Sequence, residues 1–81
     1  DLLNMKGIIA MHNGNFEEAE SLFKEITTLG INYNTMFNIA YLKEYIGDVK
    51  EAISFYKRII YNCEDKDIMF DSQQRLKFLN R

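Results

Sequence analysis

The sequence has no proline, one cysteine and one histidine in 81 residues. Without proline nothing clashes with a preceding turn, so no helical segment is interrupted. A single thiol, Cys63, cannot close an internal disulfide, and Cys63 with His12 falls short of a zinc site. No apolar run approaches the roughly 20 residues that span a bilayer. Neither sign of charge dominates: ten Lys+Arg stand against twelve Asp+Glu, a net charge of −2. Nucleic-acid binding draws on a basic face that neutralises phosphates, so this balance argues against a nucleic-acid partner. A Gly-rich phosphate loop, a metal-ligand cluster and a nucleophile with a base beside it are all missing. The chain therefore reads as no enzyme and as needing no cofactor.

What is present is an ordinary globular balance, 47% apolar and 27% charged. A disordered tail is thereby excluded, because its low hydrophobicity would not offset chain entropy. The length fits one small domain. Beginning at Asp1 rather than Met, the chain is expected to be excised from something longer, which hides any targeting signal. A cytoplasmic setting is the working expectation.

Sliding the chain against itself by 33 residues pairs Gly14 with Gly47, Glu18 with Glu51 and Ala19 with Ala52. Ser21/Ser54, Lys24/Lys57 and Ile26/Ile59 follow at the same offset, giving six identities within 13 residues. Asn15/Asp48, Phe16/Val49, Phe23/Tyr56 and Gly7/Ala40 match conservatively. A self-match at this period marks a stacked-repeat architecture.

Each unit reads as two helices. Phe16, Ala19, Leu22, Phe23 and Ile26 share one helical face, and Val49, Ala52, Ile53, Tyr56, Ile59 and Ile60 repeat it. Asn15-x-x-Glu18 and Asp48-x-x-Glu51 have capping-box spacing, and each is preceded by a turn glycine, Gly14 or Gly47. Leu2 to His12 and Thr35 to Ile46 supply the first helices, with Asn32 or Asn34 as the second one's cap. A fifth helix is expected from Ile68 to Leu79, capped by Asp65 or Asp67. The small residues Gly7, Ala10, Ala19, Ala40 and Ala52 let backbones approach, with Phe23 and Tyr56 filling the space beside them. The fold expected is all-α, a right-handed superhelical solenoid of antiparallel helix pairs with about five helices. Its divisions are 1–32, 33–65 and 66–81, the last a capping helix or the start of a third repeat.

Gly14-Asn15-Phe16-Glu17-Glu18-Ala19 followed by Phe23 resembles the second half of a tetratricopeptide repeat. Gly47-Asp48-Val49-Lys50-Glu51-Ala52 followed by Tyr56 resembles it again, and Gly7 and Ala40 supply the small residue of the first helix. Leu3 and Met36 replace the family's frequent aromatic, Lys6 replaces a leucine that Ile39 keeps, and the closing proline is missing. Pentatricopeptide repeats are similar in outline but bind RNA, which the acidic balance opposes.

The resemblance implies that first helices line an inner, concave wall where peptides bind. It places Asn4, Met5, Ile8, Met11 and His12 there in unit one, and Phe37, Asn38, Tyr41, Glu44 and Tyr45 in unit two. The fifth helix adds Phe70, Asp71, Gln74 and Phe78. Tyr, Phe and Met make adaptable anchors for a partner, and Asn38 is suited to bond a peptide backbone. A chaperone-carboxylate clamp, known in one variant of the family, is disfavoured. Asn4 and Ile8 replace its Lys and Asn, and acids near Asp67 and Asp71 would repel a carboxylate.

Two functions follow as expectations. One is a non-catalytic protein-binding module that takes a peptide or partner helix in the groove. The other is a scaffold segment that stacks on further repeats or self-associates, appended to a catalytic domain such as a glycosyltransferase. The polar Ser72, Gln73, Gln74, Arg75, Lys77 and Asn80 are expected on the outer face of a cap, whereas Leu2, Leu3 and Ile9 are expected to lie uncovered.

Overall fold

The computed structural model describes residues 2–30 and 32–80. Five helices follow one another: α1 (Leu2–His12), α2 (Phe16–Thr27), α3 (Tyr33–Tyr45), α4 (Val49–Asn62) and α5 (Lys66–Leu79). Among the described residues there is no strand, so the all-α expectation holds. Contacts are most extensive within the pairs α1–α2 and α3–α4, followed by α4–α5 and α2–α3. The alternate helices also touch, α1 with α3 and α3 with α5.

The turn inside each pair has one design. Gly14 N–H donates to Met11 O at 3.0 Å and Asn15 N–H to Ala10 O at 2.8 Å. Gly47 N–H donates to Glu44 O at 3.1 Å and Asp48 N–H to Lys43 O at 2.8 Å. This double closure of a helix end needs the left-handed backbone, and the two glycines have φ of 82° and 87°. Nothing lies within 4 Å of a side chain built on either, so backbone angle and not space selects glycine there.

Capping departs from expectation in α2. Asp48 accepts from Glu51 N–H at 3.3 Å, whereas the Asn15 side chain makes no cap bond to α2. An ionised carboxylate offers two acceptor oxygens where an amide offers one. Asn32, and not Asn34, caps α3, so that helix starts two residues before Thr35 and ends at Tyr45. Asp65, and not Asp67, caps α5 and draws its start back to Lys66.

Two apolar clusters form the core. The first joins Ala10, Met11, Ala19, Phe23, Ile26 and Leu42, and the second joins Ala40, Ala52, Tyr56, Ile59 and Cys63. Leu42 thus reaches back from α3 into the first unit while Ala40 serves the second, so α3 carries apolar residues on more than one face. Ser72 corrects the outer-face expectation: it is fully buried. Leu2 and Ile9 are exposed as expected, while Leu3 is half-buried against the first cluster.

Candidate binding surface

The contacts between α1, α3 and α5 assemble one wall from residues about one repeat apart. At one end, Asn4 on α1 is buried, and its Oδ1 accepts from Thr35 Oγ1 and from Asn38 Nδ2, each at 3.2 Å. Asn38, expected as a free group for a ligand backbone, therefore spends one amide hydrogen on Asn4 and remains half-buried. Farther along, the rings of His12 and Tyr45 meet edge-on at 5.8 Å, with Tyr45 Oη 3.3 Å from His12 Nδ1. Tyr45 meets Tyr41 edge-on at 5.3 Å, and Tyr41 lies nearly parallel to Phe37 at 6.5 Å. Phe37 in turn packs edge-on to Tyr56 at 5.5 Å. Spacing of four residues puts Phe37, Tyr41 and Tyr45 on one face of α3, and each ring contact adds to burial.

Not every expected residue offers surface. Met5, Tyr45 and Phe70 are exposed by 59%, 46% and 57%, and His12 and Gln74 are exposed as well. Ile8, Phe37 and Tyr41 are half-buried. Met11 is a correction: at 2% exposure it is part of the first core cluster, with Ala19, Phe23 and Ile26 of α2 and Leu42 of α3. Gly7, Ala19, Phe23, Ala40, Ala52 and Tyr56 are buried within the helix pairs as expected. A Cβ on Gly7 would lie 2.5 Å from Phe23 Cε1, so this glycine is there for close approach.

Beneath the aromatic row is a polar group that sequence reasoning did not assemble. Glu44, whose side chain is only 9% accessible, accepts from Tyr56 Oη and from two nitrogens of Arg75. Arg75 was expected on the outer face of α5; instead its guanidinium turns inward, 5.6 Å from the Tyr41 ring and 4.9 Å from that of Phe78. A fork-shaped cation suits both a carboxylate and ring faces. Burial first, and then the bond and charge of Glu44, push the Tyr56 hydroxyl far above its ordinary value. The Glu44 bond likewise raises the Arg75 guanidinium against the opposing effect of burial. The signal for this network was Tyr56 itself. It stands where unit one has Phe23, and a buried phenol demands an acceptor.

Among the described residues no group of three His, Cys, Asp or Glu is placed to hold a metal, and no helix is long and apolar enough to cross a membrane. Residues 10–31 match the model of the PPR repeat, and residues 33–66 match that of the tetratricopeptide repeat. No curated protein and no solved structure matches the chain.

Proposed function

Since the chain is a TPR-like helical repeat, a class of modules that generally bind protein or RNA, we propose that it is a non-catalytic module holding a peptide or partner helix against the wall of α1, α3 and α5. The observation that carries this reading is the half-open aromatic row Phe37–Tyr41–Tyr45, continued by the exposed Phe70 and flanked by Met5. Apolar rings left accessible to water gain by covering. The wall's one guanidinium, Arg75, is already bonded to Glu44, which disfavours phosphate as the ligand. On this reading the helix pairs wind into a right-handed superhelix whose inner side is this wall. Gln73 stands 33 residues after Ala40 and is exposed. A large polar residue at that close-approach position favours α5 as a cap over the start of a third repeat.

The test is capture of partners from the native lysate, followed by titration of two variants. Tyr41→Ala should weaken binding by about 1–3 kcal/mol, and Glu17→Ala, on exposed α2 surface, should leave it unchanged. Binding should depend weakly on salt and need no free C-terminal carboxylate. Equal binding by both variants would remove the wall as the site. The PPR match over 10–31 favours RNA as the competing class, so a single-stranded RNA that displaces the captured protein would reverse the assignment. A scaffold role is supported by the exposed Leu2 and Ile9 on α1, which with Met5 at the edge of the wall make an apolar stripe.

A further inference from the structure

Met36, Ile39 and Lys43 follow one another at helical spacing on α3, as do Phe37, Tyr41 and Tyr45. At about 100° per residue the two sets fall on opposite faces of the helix. The face away from the aromatic row is the floor of a second concavity, a cleft of about 590 Å³ between α2 and α4 that no residue of α1 or α5 lines. That volume lies within the common range for ligand sites, about 300–1,000 Å³. Its apolar floor is the seam between the two repeats: Ile39 packs on the first core cluster, and Met36 and Phe55 pack on the second.

The charge around this seam runs against that of the chain. Three cations, Lys24, Lys43 and Arg58, line the cleft with two carboxylates, Glu20 and Glu51. The rest of the sequence carries seven cations against ten carboxylates. Glu20 is engaged from both sides, by Lys24 at 3.2 Å and Lys43 at 3.8 Å. Arg58 instead lies over the Phe55 ring at 5.2 Å, a cation set against the apolar wall.

We propose that the cleft between α2, α3 and α4 is a second docking site, and that its occupant is a short acidic peptide segment with one apolar anchor. The anchor side chain enters between Ile39 and Phe55, where it covers the seam between the repeats. Carboxylates beside it meet Arg58 and the exposed Lys24, which can turn to them from Glu20 because Glu20 keeps Lys43 as its partner. Glu51 at the wall disfavours a densely anionic ligand such as RNA. Lys43, only 17% accessible along its side chain, is anchored too deeply to serve as the entry contact. The site is independent of the aromatic wall, because the two occupy different faces of α3.

The experiment is an NMR titration of the uniformly ¹⁵N-labelled chain with end-capped peptides. One peptide carries aspartates around a single tryptophan; in a second the aspartates become asparagines; in a third the tryptophan becomes alanine. The first should shift the amides of Ile39, Lys43, Phe55 and Arg58 and leave Tyr41 and Tyr45 unmoved, and its binding should weaken with salt. The other two peptides, and the variants Arg58→Glu and Lys24→Glu, should each bind about tenfold more weakly. Both substitutions are at exposed positions, and unchanged circular dichroism melts would verify that they fold. Tyr41→Ala, which disables the other wall, should leave this titration intact. The proposal is overturned if the first peptide does not bind, if the asparagine peptide binds equally well, if the shifts centre on Tyr41 and Tyr45, or if a single-stranded RNA binds the cleft more tightly.

Discussion

At the scale of the residue, Ser72, Gly7 and Tyr56 carry consequences out of proportion to their size. Ser72 is fully buried and its hydroxyl has no hydrogen-bond partner among the described residues. An unmet buried hydroxyl costs about 1–3 kcal/mol, so Ser72→Ala should leave stability unchanged or raise it in a urea melt. Gly7 is the reverse case. An added methyl would press on the ring of Phe23, which is fully buried. Gly7→Ala should lose about 1–3 kcal/mol to overpacking, more than the roughly 1 kcal/mol that alanine gains in a helix. Tyr56 links stability to pH. Its hydroxyl keeps its proton in the folded chain well above the ordinary value of 10.0. The stability this supplies is complete below that pH and declines above it, because there only the unfolded chain releases the proton. The stability gap between the natural chain and Tyr56→Phe should therefore narrow as denaturant titrations move above pH 10.

At the scale of the element, the helices differ in what holds their ends and faces. Asp48 caps α4 through its side chain and Asn15 does not cap α2. Asp48→Ala should consequently cost about 1 kcal/mol, whereas Asn15→Ala should cost much less; thermal melts of the two variants compare them directly. Between elements, Glu44 joins α3 to α4 through Tyr56 and to α5 through Arg75. Glu44→Ala strands the phenol and frees the guanidinium. The expected loss is about 2 kcal/mol, below that of a fully buried pair because the Arg75 side chain is 35% accessible. Amide exchange should quicken first in α5, which Arg75 ties to α3.

At the scale of the whole molecule, the two ends of the stack are unequal. Leu2, Met5 and Ile9 form an exposed stripe on α1, at 65%, 59% and 57%. On α5, by contrast, the exposed Phe70 and Phe78 are interspersed with the exposed polar groups Gln73, Gln74, Lys77 and Asn80. Water is a poor neighbour for such a stripe, so the isolated chain should self-associate through α1. Sedimentation at rising concentration should show this, and Ile9→Lys should return the monomer. A monomer at all concentrations would mean that the stripe does not drive association.

Residue order alone determined the repeat, the five helices and the small residues at close approaches, with Phe23 and Tyr56 filling the space beside them. These rest on interactions close in sequence, such as helical period, turn glycines and the offset of 33 that brings like positions to like places. The aromatic members of the wall were legible for the same reason, since Phe37, Tyr41 and Tyr45 share a face on any helix. Only the tertiary structure decided which groups that look polar or apolar on a helical wheel would be inside. Met11 went to the core, Ser72 was covered, Asn38 was claimed by Asn4, and Arg75 turned inward to Glu44. The bonds of Asn38 and Arg75 depend on the rotation of one helix against another about a repeat away. Side-chain patterning fixes a helix's apolar face only to within a broad arc, and a charged residue at the edge of that arc goes wherever an opposite charge is waiting.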